Sequence, residues 1–200
     1  MFNLPPSTLI NKPLFKKAVF EKFNLKAAER ERFDADISRM VLLAHVSPST
    51  ISALKEGNEI KDFYVMLVAL KHKDYDAKNI LLLQKLIPQK IVFALQYENE
   101  TQLCIFHTRL QQSAWSLTDE TAISLNGLTL DAVWENLVAD IGQLDAKAEE
   151  TIEEQILDRE RREKLQRQIA LLERQCRLER QTRKKFELHQ QIIKLKEELK

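Results

Sequence analysis

Three glycines in 200 residues leave no phosphate-binding glycine loop, and no Gly-x-Ser-x-Gly nucleophile elbow occurs. Five prolines are few as well, so long regular elements are expected in place of loops. The only two cysteines, Cys104 and Cys176, lie far apart and lack metal-type spacing. Two free thiols fit a reducing cytoplasm, and a cytoplasmic location is the expectation. His45, His72, His107 and His189 are each remote from another ligand at zinc spacing. No catalytic residue, metal ligand or cofactor is therefore assigned. A net charge of +1 gives no global field toward nucleic acid or membrane. No run approaches the roughly 20 apolar residues of a membrane span. Residues 1–6 have neither the charged start nor the apolar run of a signal peptide.

What is present is a body and an arm. At 44% apolar content, the chain can bury one sizeable core. Residues 63–70 are eight apolar residues in a row, rich in β-branched and aromatic types. They read as a strand covered on both faces. Asp74 or Asp76 caps a helix carrying Ile80, Leu83, Leu86 and Ile87, and Pro88 stops it. Residues 91–97 and 101–110 then read as an antiparallel hairpin about a turn at Glu98, Asn99 and Glu100. The helical connection makes the first two strands a parallel pair. Short strands are expected at 114–117 and 123–125. Thr129 precedes a packing helix over 130–141, with Leu130, Val133, Trp134, Leu137, Val138 and Ile141 on one face and Gly142 at its end.

Upstream, residues 1–12 read as extended and Pro13 as a helix start. A second helix is expected over 26–46, with Phe33, Ile37, Met40, Val41 and Ala44 as its stripe. Lys12, Lys16, Lys17 and Lys22 contribute to +4 over residues 1–55. A phosphate-facing patch and a solvated helix face both fit them, and the solvated face is preferred.

The fold class expected is α+β (mixed α/β), a small mixed sheet of 3–5 strands packed by helices. The globular domain spans 1–142: a helical part over 1–58, a sheet core over 59–126 and the packing helix over 127–142. Residues 143–200 form the arm, either one long charged helix or a helical hairpin. They contain no proline or glycine, as a long helix requires.

Charge in the arm is sorted: −5 over 143–158, +7 over 159–185 and zero over 186–200. Glu160–Lys164, Glu163–Arg167, Glu173–Arg177 and Glu179–Arg183 are favourable i, i+4 pairs. Arg159, Arg161, Arg162, Arg174, Arg180, Lys184 and Lys185 are left over as candidate nucleic-acid contacts. Leu165, Ile169, Leu172 and Cys176 make one apolar seam, and Leu188, Ile192, Leu195 and Leu199 another. They are two residues out of register, so no continuous coiled-coil heptad runs through the arm. Exposed seams need a cover. A protein partner or a second copy is expected there, with Leu165, Ile169, Leu172, Leu188, Ile192, Leu195 and Leu199 as its contacts.

A restriction-type nuclease is the enzyme alternative. It needs an acid on one hairpin strand and acid-x-Lys on the next, to hold Mg²⁺ and assist water. Residues 101–110 lack it, and Glu59-Ile60-Lys61 has the letters at the start of the wrong strand.

Three stretches carry a family likeness. Leu4-Pro5-Pro6-Ser7-Thr8 with Asn11-Lys12 resembles the start of the bacterial domain-of-unknown-function family 4391. So do Ile87-Pro88 leading into residues 91–97, and residues 124–136 around Asn126-Gly127 and Trp134. The charged arm is similar to the tail many members carry. The resemblance implies a place beside helicase and DNA-methyltransferase genes in antiviral defence or restriction-modification loci. It implies no catalytic residues. The function expected is a non-catalytic accessory subunit that docks a helicase or methyltransferase through its arm. DNA binding through the basic block and divergent nuclease activity are the alternatives.

Overall fold

The computed structural model describes residues 1–145 and 150–199. It divides into a body over 1–148 and an arm over 149–200.

The body is built on a mixed sheet in the order β1-β2-β3-β4-β5-β6, with β7 paired to β5. The strands are β1 Leu9–Leu14, β2 Ile37–Val46, β3 Phe63–Leu70, β4 Lys90–Tyr97, β5 Glu100–Phe106, β6 Leu110–Gln112 and β7 Ser116–Leu117. Seven strands among the described residues exceed the 3–5 expected. The helices are α1 Lys16–Lys22, α2 Ala27–Asp36, α3 Ala77–Gln84 and α4 Leu130–Gly142.

The apolar run at 63–70 is β3, at the centre of the sheet. It pairs antiparallel with β2 and parallel with β4, and α3 makes the crossover. Asp76 caps α3 by accepting the Lys78 N–H at 2.9 Å. Alternate residues of the central strands face opposite layers. Met66, Val68, Ile91, Phe93 and Leu95 join Val19, Phe33, Ile80 and Leu83 of α1, α2 and α3 in one core. On the other face, Trp134 of α4 meets Phe63 edge-on, with ring centroids 5.6 Å apart. Helices thus cover both sides, which is why β3 is apolar at every position.

Two expectations upstream are corrected. The helix expected over 26–46 stops at Asp36, and the rest is β2. Asp36 is buried at 8% exposure and ends the helix by turning its carboxylate to another element. Oδ2 accepts the Asp76 N–H at 2.8 Å and the Asn79 Nδ2 at 2.7 Å, and the Asp36 carbonyl accepts the Lys71 N–H. The segment around Pro13 is an edge strand, not a helix start. An edge tolerates proline because no neighbour needs its missing N–H. A register shift between Leu9 and Lys12, with Asn11 at φ 48°, further spoils that edge as a template. Downstream, no strand forms at 123–125, where Ile123 instead donates its N–H to the Phe2 carbonyl.

The N-terminal lysines are largely engaged. Lys16 pairs with Asp34 at 2.6 Å, Lys17 lies 3.6 Å from Glu21, and Lys22 donates to the Leu86 carbonyl.

The loop before β3 is organised by one carboxylate. Thr129 caps α4, and Asp131 in its first turn accepts the N–H groups of Asn58 at 2.5 Å and Ile60 at 2.8 Å. A side chain at Gly57 would collide with that carboxylate. The Ile60 N–H, helped by Asn58, Glu59 and the charge of Lys61, holds Asp131 below the usual carboxylate range. A depressed folded-state pKa adds stability above the unfolded value, about 3.9, and that gain is lost as pH falls through the folded value. Asp131→Asn is therefore expected to melt below the parent near neutrality, the gap closing toward acid pH. Melting curves across the acid range check this; a gap independent of pH rules out the carboxylate as its source.

Candidate interaction surface of the helical arm

The arm is two helices, α5 Ile152–Leu178 and α6 Thr182–Glu198. α5 starts with a capping box: Thr151 Oγ1 accepts the Glu154 N–H at 3.2 Å, and Glu154 Oε2 accepts the Thr151 N–H at 2.8 Å. α5 therefore begins at Ile152; the sequence placed the arm from 143, and its residues 146–149 lie outside the described residues. The stretch 143–151 opens with Gln143, which takes the left-handed conformation (φ 53°) beyond α4.

No glycine or proline marks the break between α5 and α6. It is made by Glu179, whose backbone is extended and whose Oε1 accepts the N–H groups of Arg180 at 2.8 Å and Gln181 at 2.9 Å. These bonds, led by Gln181, hold the Glu179 carboxyl below its usual range. The chain then folds back. Lys196 reaches Glu173 at 2.8 Å, and the Cys176 thiol lies 3.6 Å from the Lys185 carbonyl. The arm is a hairpin, the second of the two forms expected.

Ile169 and Ile192 are buried, and Leu165, Leu172, Leu188, Leu195 and Leu199 are half-buried. The two seams line the contact between α5 and α6, so each is first covered by the other. Their two-residue slip marks where the chain turns. Burying an isoleucine is worth about 1.5–3 kcal/mol relative to exposure, enough to favour the hairpin over one straight rod.

The charges re-sort around this geometry. Glu163–Arg167 forms at 3.3 Å as expected. Arg162, counted as left over, pairs with Asp158 at 2.8 Å. Glu173 turns to Lys196 and Glu179 to the backbone, so Arg183 takes Glu187 at 3.3 Å. Of the other basic candidates, Arg159, Arg161, Arg174 and Lys185 are exposed. Arg180 and Lys184 line a cleft of about 750 Å³ at the hairpin tip, with Gln175, Leu178, Leu188 and Gln191.

Sequence reasoning missed the outward apolar residues. Leu157, Leu171, Leu178, Phe186 and Ile193 are 55%, 58%, 74%, 62% and 37% exposed. The available signal was a seven-residue spacing outside the seams, from 171 to 178 and from 186 to 193.

The body also exposes large apolar side chains, among them Phe15 at 73% and Leu128 at 81%. Lys61 donates to the Gly57 carbonyl at 2.8 Å, and the Glu59 N–H points to Asp131 at 3.3 Å, so both belong to the loop before β3. Among the described residues no group of three or more His, Cys, Asp or Glu is placed to hold a metal ion. His45 pairs with Asp62 at 2.8 Å and stacks on Tyr64. Cys104 is buried, and burial pushes its thiol up to about 12, far from a reactive thiolate. Tyr75, which bonds Gln102 at 2.7 Å and lies against Cys104, is raised by the same desolvation. No helix among the described residues is long and apolar enough to cross a membrane.

A family model described as Domain of unknown function (DUF4391) matches residues 2–199. No curated protein and no solved structure matches the chain.

Proposed function

From the premise that the chain belongs to the DUF4391 family, we propose that it is a non-catalytic accessory subunit of a bacterial DNA-acting system. Its arm docks a larger helicase or methyltransferase of an antiviral defence or restriction-type locus. The observation that carries this reading is the outward pair Phe186 and Ile193 on α6, left exposed although the seam beneath is closed. A phenylalanine 62% exposed beside Lys184 and Lys185 is a poor surface residue and a good docking anchor. The DNA-acting class of the partner rests on the family resemblance.

The test is co-purification from the native host with tagged full-length chain. A helicase or methyltransferase identified in the eluate is expected. Phe186→Glu with Ile193→Glu is expected to weaken its retention at least about tenfold, since hot-spot contacts dominate interfaces. Neither enzyme in the parent eluate, or full retention by the variant, overturns the reading.

A second reading is favoured by the hairpin tip. There Arg180, Lys184 and Lys185 are exposed together within residues 174–185, which carry six bases against the one acid Glu179. On this reading DNA retention falls steeply with salt and is lost in the variant with all three changed to Glu.

A further inference from the structure

α5 carries an apolar stripe that its own hairpin does not use. Leu157, Leu171 and Leu178 are 55%, 58% and 74% exposed. They recur at multiples of seven residues, and Lys164 fills the remaining position. A seven-residue repeat keeps one line on a helix, drifting only about 20° per repeat. Leu171 sits one residue from the seam position Leu172, about 100° around the helix. A second helix can lie along this stripe with α6 still in place.

Charge decides what that helix is. Residues 152–160 carry −3, from Glu153, Glu154, Asp158 and Glu160 against Arg159. Residues 174–185 carry +5, from six bases against Glu179. A second copy laid parallel would stack each block on its like. Laid antiparallel, each acidic end meets a basic end. The leucine spacing selects the same alignment. A two-fold axis between Arg167 and Gln168 sets Leu157 opposite Leu178 of the second copy, and Leu171 opposite its Lys164. The aliphatic stem of that lysine can cover a leucine while its ammonium stays in water. Residues 182–185 fold back beside the end of α5, so the basic block stays at that end. Charge chooses the antiparallel direction, and the leucine spacing chooses the register.

We propose that α5 pairs antiparallel with α5 of a second copy of this chain, forming a two-fold homodimer through Leu157, Lys164, Leu171 and Leu178. Such an interface is isologous, closing on itself without leaving a free end. It uses other residues than the α6 surface assigned to a larger partner, so the two can fail separately.

Sedimentation velocity of the full-length chain at tens of micromolar is the first test. A dimer is expected, loosened by added salt because its end contacts are charged. Leu171→Glu is expected to weaken it at least about tenfold, with unchanged helical circular dichroism because the residue is exposed. Disulfide trapping in a Cys176→Ser background then fixes the direction. Leu157→Cys and Leu178→Cys chains are expected to cross-link when mixed and not when alone. A monomer at every concentration overturns the proposal. So does self-linking by Leu157→Cys alone, the result for a parallel pair.

Discussion

Trp134→Ala is expected to lower the free energy of unfolding by about 3–5 kcal/mol, the range for emptying a buried aromatic site. Trp134 is 1% exposed and is among the largest fully buried side chains. It carries α4 onto the sheet through the edge contact with Phe63, and Lys90 lies over its ring at 5.8 Å. Its loss would open a cavity between a rigid sheet and a helix anchored by Leu130, Leu137 and Ile141, which limits collapse. Trp134→Phe should cost far less than the alanine change. The indole Nε1 has no hydrogen-bond partner, so phenylalanine forfeits volume but no bond. Urea denaturation of the two variants separates the terms. An alanine loss below about 1 kcal/mol would show that α4 is not an obligatory layer.

Asp36→Ala is expected to cost about 2–4 kcal/mol, because it strands donors where water cannot replace the carboxylate. Asn79 Nδ2 and the Asp76 N–H would both lose their acceptor, and His72 Nε2, 3.4 Å from Oδ1, would lose its partner. Asp36→Asn keeps one acceptor oxygen and should lose roughly half as much. Pairing Asp36→Ala with Asn79→Ala in a double-mutant cycle tests the cause. The combined loss should fall short of the sum, because the second change removes the group the first left stranded. Strict additivity would place the cost elsewhere.

The same residue shows where the sequence could be read and where it could not. β3 and β4 were legible because their apolar runs are bounded by turn or helix signals, but the strand expected over 101–110 ends at Phe106, where the chain turns and Leu110 begins the antiparallel β6. α4 was legible because Thr129 caps a clean helical stripe. β2 was not. Its register shifts between Ile37 and Arg39 and again between Leu42 and Ala44. Each shift interrupts the alternation that marks a strand, and the remaining spacing of Phe33, Ile37, Met40 and Ala44 imitates a helix. The end of α2 depends on Asn79 and Asp76, forty residues away in sequence, which no local pattern reveals. β1 was hidden for another reason: four of its six residues are exposed, so it has no apolar face to recognise. With β1, β2 and the short β6 added, the sheet outgrew its expected size. In the arm, the hairpin was foreshadowed by the slip between seams, but the outward leucines looked like ordinary members of a leucine-rich helix. Exposure distinguishes them, and exposure follows only once the seams have been used.

The three-residue link at Glu179, Arg180 and Gln181 has a kinetic consequence. All contact between α5 and α6 closes across it, so the hairpin forms with little loop entropy to overcome. β2 and β3, by contrast, must meet across an intervening loop of sixteen residues, 47–62. In hydrogen–deuterium exchange the arm amides are therefore expected to open and reclose as a local unit, exchanging well before those of β3 and β4. A chain made this way can loosen its helical arm while the sheet that carries it stays folded.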